Sequence, residues 1–190
     1  SAENCTDNDL YLKAATSLHK LQPTSQSAYF LYRLNASRGN VDEALSYISE
    51  ALAYTDLETE TAADYNYEAA AFCVKNGRNP QAITFAEKAK ELSSSYAGKV
   101  YFLIGTIWGA TSCGGDEISR RAPYWVAVDY MERAKAADAS LAEDCNRMIS
   151  QYRVYYPQTA EAFMYNLTDG QSYTVSCGGM RATTTVRTQK

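Results

Sequence analysis

Ala44-Leu-Ser-Tyr-Ile48-Ser-Glu-Ala51, Ala82-Ile-Thr-Phe-Ala86-Glu-Lys-Ala89 and Ala127-Val-Asp-Tyr-Met131-Glu-Arg-Ala134 are three versions of one phrase. Each places an alanine, then a larger or apolar residue four on, then a second alanine three further. On a helix that spacing makes one stripe, and its small side chains let a neighbouring helix approach closely. Recurrence at intervals of a few tens of residues marks stacked helical hairpins. Arrays of that kind serve far more often as binding scaffolds than as catalysts.

The segment before each phrase reads as a partner helix. Tyr101-x2-Ile104-Gly105-x2-Trp108 has an aromatic at both ends and a glycine within, whereas Ala28-x2-Leu31-Tyr32-x2-Asn35 and Asn66-x2-Ala69-Ala70-x2-Cys73 are degenerate. Gly39-Asn40 and Gly77-Arg78 precede their alanines where the turn between paired helices belongs, and glycine there can take positive φ. Pro80 suits the first turn of the helix that follows. These segments resemble tetratricopeptide repeats (TPRs), whose pattern is W-x2-L-G-x2-Y in helix A, Ala-x3-Phe in helix B and a closing Pro. The resemblance covers roughly residues 25–140. It implies a mainly α fold of about three antiparallel helical hairpins with flanking helices.

Spacing departs from a strict array. Ala44 to Ala82 is 38 residues and Ala82 to Ala127 is 45, against about 34 in the family. The first excess fits the polar stretch Asp56–Thr61, between repeats. The second falls mostly inside repeat three, as an insertion over 109–123 that contains Arg120, Arg121 and Pro123. Insertions in solenoids emerge as loops on one face, and long loops in compact domains often carry a role. Arg120 and Arg121 are a possible loop site for a carboxylate or phosphate.

Composition agrees with a folded domain: 46% of residues are hydrophobic and 21% charged, which excludes general disorder. The net charge is −4 with both signs interspersed, so nothing recommends a nucleic-acid partner. Val100–Ala110 is the most apolar run and is too short to span a bilayer. The chain begins at Ser1, and a leader, if there was one, is expected to have been removed. Tyrosines outnumber phenylalanines sixteen to five, which suits aromatics whose polar end stays near water.

Cys5, Cys73, Cys113, Cys145 and Cys177 show no C-x2-C spacing, and His19 is the only histidine, so no metal is expected. Cys73 and Cys145 read as small core residues. Cys113 and Cys177 each stand in Ser-Cys-Gly-Gly outside regular helix and form a candidate disulfide. Signatures of catalysis are nearly absent: there is no G-x-S-x-G, Walker-type loop or H-E-x-x-H. No catalytic residue and no cofactor are expected. His19 lies in an N-terminal helix with the stripe Leu10, Ala14, Leu18 and Leu21, and reads as a surface or boundary residue.

Past repeat three, Leu141, Cys145, Met148, Ile149 and Tyr152 form the stripe of a capping helix that Pro157 stops. A short helix over Thr159–Tyr165 ends by Asp169-Gly170. The tail then alternates with a period of two on both sides of Gly178-Gly179, a two-residue hairpin signal. That turn pairs Cys177 with Met180, Val175 with Ala182 and Tyr173 with Thr184, putting the apolar residues on one face. The organisation is therefore an N-terminal segment and helix (1–24), TPR-like repeats (25–140), a capping helix (141–157) and a C-terminal helix with β-hairpin tail (158–190).

Trp108-Gly-Ala-Thr-Ser-Cys-Gly-Gly115, Arg120-Arg-Ala-Pro-Tyr-Trp125 and Tyr173-Thr-Val-Ser-Cys-Gly-Gly-Met-Arg-Ala-Thr-Thr-Thr-Val-Arg-Thr188 resemble a group of exported bacterial TPR proteins of unassigned biochemistry. The resemblance implies a periplasmic or cell-envelope location after loss of a signal peptide, and it offers no catalytic residues. The reading is a non-catalytic scaffold for a protein or peptide. The alternatives are an enzyme or small-ligand binder with a pocket between the insertion and the hairpin, and a structural subunit that assembles through the hairpin edge. Counting from the anchoring alanines places Tyr29 and Arg33, Tyr67 and Ala71, Phe102 and Thr106 on the concave helix A face. The set is aromatic rather than the Lys-Asn pattern that clamps a peptide carboxylate, and the same tyrosines could instead pack between helices.

Overall fold

A computed structural model describes residues 3–189, with side chains from residue 9 onward, so Cys5 lies outside the described side chains. The fold is mainly α: helices stack in antiparallel pairs and a two-stranded antiparallel sheet follows. The helices are α1 (Glu3–Leu21), α2 (Ser25–Ser37), α3 (Val41–Ala53), α4 (Thr59–Lys75), α5 (Asn79–Leu92), α6 (Ala97–Gly109), α7 (Glu117–Ala137), α8 (Ala142–Arg153) and α9 (Thr159–Met164). The pairs α2/α3, α4/α5 and α6/α7 form three hairpins, each packed on the next, with α1 and α8 at the two ends.

The alanine phrase fills the contacts between helices. Ala44, Ala51, Ala82, Ala86, Ala89, Ala127 and Ala134 are all fully buried, together with Ile48 and Met131. The two degenerate repeats keep the right ends. Gly39 and Gly77 have φ of +77° and +69°. Around them Asn40 N–H donates to the Asn35 carbonyl at 3.0 Å, and Arg78 N–H to that of Cys73 at 2.9 Å, closing helix A in the same way twice. In repeat three, Gly105 lets α6 approach α7: a Cβ there would lie 2.8 Å from Met131 Cε and 3.2 Å from the Ala127 carbonyl.

The insertion behaves differently from a long loop. Only residues 110–116 lie outside helix, and the rest extends α7 at its start. The Asp116 carboxylate accepts the Ser119 N–H at 2.7 Å and caps the helix. Ile118, Ala122 and Trp125 follow at helical spacing, all buried. That face carries the helix through Pro123, which sits inside α7 although it removes a backbone donor. Arg120 and Arg121 are therefore helical, contrary to their expected place in a loop.

The apolar stripe of α1 is also corrected. Leu10, Ala14, Leu18 and Leu21 face solvent, because α1 turns its other side, with buried His19, toward α2. Beyond α8, helix α9 closes with Asn166 at φ +57°, which ends it before Gly170.

Strands β1 (Ser172–Cys177) and β2 (Met180–Thr185) pair in the expected register, with Tyr173 opposite Thr184, Val175 opposite Ala182 and Cys177 opposite Met180. Gly178 and Gly179 both have positive φ, as a two-residue turn matching the strand twist requires. The hairpin lies on α7, where Val175, Met180 and Val186 join the core. Trp125 Nε1–H donates to the Arg187 carbonyl at 2.9 Å, and its ring meets Tyr173 edge-on. Asp129 accepts from Thr184 Oγ1 at 2.5 Å and is ion-paired with Arg187. The terminal residues then run beside residue 157, where Gln189 N–H donates to the Pro157 carbonyl at 2.9 Å.

Candidate functional site

Helices α2, α4 and α6 present the residues assigned to the groove, and these fall into three neighbourhoods rather than one cluster. Tyr29 and Arg33 make the first. The Tyr29 ring stacks on Tyr65 with centroids 3.9 Å apart and planes 4° apart. Its hydroxyl donates to Glu68 at 2.6 Å, and Arg33 Nη1 lies 3.1 Å from the other oxygen of the same carboxylate. Tyr67 makes the second: its ring sits 5.2 Å from that of Tyr96, whose hydroxyl donates to Asp64. Phe102 and Thr106 make the third. Phe102 is half-buried, and the Thr106 hydroxyl turns back to the Leu103 carbonyl at 2.7 Å. Ala71 is exposed.

Both tyrosine pairs bridge consecutive repeats, and their phenols are held neutral. Burial first, then the hydrogen bond to Glu68, pushes Tyr29 up, and burial alone raises Tyr67. Tyr96 is pushed up to about 12, chiefly by its hydrogen bond to Asp64 and then by burial. A phenol that donates to a carboxylate loses that bond on ionising and gains a like-charge neighbour, so the neutral form is favoured.

Tyr65, Tyr96, Asp64 and Glu68 were missed by the sequence reading. Asp64 and Glu68 stand four apart on α4, flanking Tyr65 and Tyr67, and that spacing was the available signal.

The other expected sites lie elsewhere. Arg120 pairs with Glu117 at 3.1 Å, and Arg121 pairs with both Glu117 and Glu161, the latter at 3.1 Å. Arg121 thus ties α7 to α9. Cys113 and Cys177 are joined by a disulfide with Cα atoms 5.7 Å apart, fastening the hairpin turn to the segment between α6 and α7. Beside it a cleft of about 200 Å³ opens between residues 113–119 and β1, lined by Gly114, Ser119, Tyr173 and Ser176 among others. None of its lining residues is a carboxylate, lysine, arginine or histidine. Cys73 and Cys145 are buried free thiols, and burial raises both, Cys73 to about 11. Among the described residues no three His, Cys, Asp or Glu side chains converge as a metal site. No helix among the described residues is long and apolar enough to cross a membrane.

His19 is not a boundary residue, being only 5% exposed. Its Nδ1 lies 2.6 Å from Ser27 Oγ and its Nε2 lies 2.8 Å from Glu50 Oε1. A serine, histidine and carboxylate in that order are the groups of nucleophilic catalysis. Here Ser27 Oγ also accepts the Thr24 N–H at 3.0 Å and closes the capping box of α2. The trio fastens α1 to α2 and α3.

No family model matches this sequence, nor does any curated protein. Among solved structures, the crystal structure of MamA, a TPR-containing protein, superposes with a TM-score of 0.52 over 80% of this chain and 86% of that one, at 15% identity. At that identity the likeness speaks for the fold alone, and the fold is a TPR-like array of helical hairpins.

Proposed function

We propose that this chain is a non-catalytic TPR scaffold that binds a protein or peptide partner in the bacterial cell envelope. The observation that carries the reading is the pairing of Tyr29 on α2 with Tyr65 on α4, and of Tyr67 on α4 with Tyr96 just before α6. Tyrosines held in this way have little rotamer freedom left to lose and keep a polar tip, the qualities of anchors at an interface. Arg33, Phe102 and Thr106 extend the same face. A face of this kind suits an extended or helical segment better than a free C-terminal carboxylate. An oxidising compartment accords with the disulfide between Cys113 and Cys177 and with the resemblance of the tail.

The test is affinity capture from envelope extract with the intact chain and with a Tyr29→Ala, Tyr67→Ala double variant. Truncating an anchor typically costs about 2 kcal/mol of binding, so the double variant should lose its partner while keeping the wild-type helical circular dichroism. Unchanged capture by a folded double variant would refute the groove.

A further inference from the structure

Every exposed large apolar side chain among the described residues lies at one end of the array or the other. Leu10, Tyr11, Leu18, Leu21 and Phe30 belong to α1 and α2; Val154, Tyr155, Phe163, Met164 and Tyr165 belong to α8, α9 and the residues just after them. None lies on α3–α7 or on the hairpin. Helical repeat arrays ordinarily finish in polar outer faces, because each repeat buries its apolar surface only against a neighbour. Both ends of this one are apolar instead.

The two ends differ in shape. Between α1 and α2 runs a groove of about 480 Å³ with an apolar side of Tyr11, Ala14, Ala15, Leu18 and Phe30 and a polar side of His19, Thr24, Gln26 and Ser27. The far end has a groove of its own, about 630 Å³ and lined by Tyr124, Tyr152, Val154 and Tyr155 among others. Apart from it, Phe163 and Met164, 72% and 81% exposed, finish α9 as a projection. That projection is anchored behind by the Arg121–Glu161 pair and by Thr159 N–H donating to the Gln189 carbonyl at 3.2 Å. Because the hairpins stack in chain order from α1 to α8, the projection cannot reach its own groove.

The areas match as well. Taking about 200 Å² for a whole residue of this size, the exposed fractions leave roughly 600 Å² at each end, the upper range for the largest apolar patch on a monomer. The groove residues Tyr11, Leu18 and Phe30 and the projecting Phe163 and Met164 supply roughly 300 Å² each. Contact over the whole of both ends would bury at most about 1,200 Å², where specific interfaces begin.

We propose that the α1–α2 groove receives the Phe163–Met164 projection of a second copy of this chain. Groove and projection are different surfaces, so the contact is heterologous and leaves one of each free to add further copies. The arrangement is independent of the tyrosine face and of the hairpin edge.

Sedimentation velocity over a range of concentrations tests it with four proteins: the wild type, Leu18→Asp, Phe163→Asp with Met164→Asp, and Tyr29→Ala with Tyr67→Ala. The first three positions are solvent-exposed, and circular dichroism checks that each variant keeps its fold. The wild type should grow beyond a dimer as concentration rises, and the Tyr29, Tyr67 variant should do the same. Leu18→Asp and the Phe163, Met164 variant should each be monomeric alone. Mixed, they should form a one-to-one heterodimer, since one intact groove and one intact projection remain. A monomeric wild type overturns the proposal, as does growth that stops at a dimer, association that survives both end variants, or a mixture that stays monomeric.

Discussion

Gly105 shows how one missing side chain sets a helix separation. It is the glycine of the best-matched repeat, and its α-carbon faces the Ala127 carbonyl and the Met131 methyl of the paired helix. Met131 Cε can move, but the carbonyl at 3.2 Å belongs to backbone and cannot. Gly105→Val should therefore force α6 away from α7 and destabilise the protein by about 1–3 kcal/mol, the usual range for overpacking a filled core. A urea midpoint equal to that of the wild type would contradict this placement. His19 makes a complementary point. Its three-residue neighbours in sequence are unremarkable, and its two partners come from α2 and α3. A lone histidine opposite a helix stripe offers no sign of which side will be buried.

At the scale of elements, the hairpin depends on what it lies against. Two strands alone are barely stable in water, and here Val175, Met180 and Val186 are buried against the helical body. Asp129 and Trp125 of α7 hold Thr184 and Arg187 on that same side. The disulfide closes a span of 64 residues, and restricting the unfolded chain over that length adds about 4 kcal/mol. Cys113→Ser with Cys177→Ser should lower the unfolding free energy by about that amount, and reductant should bring the wild type to the same value. Equal stability of both proteins without reductant would show that the bridge adds nothing. Helix α7 carries the opposite lesson. Pro123, eight residues after Gly114-Gly115, looks like part of the same loop, yet buried Ile118, Ala122 and Trp125 keep the chain helical from Glu117 onward.

For the whole molecule, tyrosine chemistry sets the alkaline limit. Tyr29, Tyr32, Tyr65, Tyr67, Tyr130, Tyr152 and Tyr156 are all raised, burial being the first cause in each, and Tyr96 is raised to about 12. A raised phenol means that folding favours the neutral form. Its contribution is whole below the unfolded value of about 10 and is lost as pH climbs through the folded value. Urea midpoints should therefore be flat with respect to these groups below about pH 10 and fall steeply from there toward about pH 12. The tyrosinate absorbance of these eight residues, read as the difference on replacing each by Phe, should rise with the loss of structure rather than ahead of it. Titration of these eight near the ordinary tyrosine value in a still-folded protein would contradict the packing described for them.

The features legible along the chain alone are local. The alanine phrases, the glycines at 39, 77, 178 and 179 and the period-two tail prescribe helices, turns and a hairpin register, because dihedral preference and side-chain period act within a few residues. They also placed Tyr29 and Tyr67 on α2 and α4. Tertiary structure decided everything that needs a partner far along the chain. Tyr29 meets Glu68, Arg121 meets Glu161, His19 meets Glu50 and Cys113 meets Cys177 only once the hairpins have stacked. The stripe of α1 is the plainest case. Leu10, Leu18 and Leu21 announce an apolar face, but a stripe is buried only where another element covers it, and within one chain nothing described does.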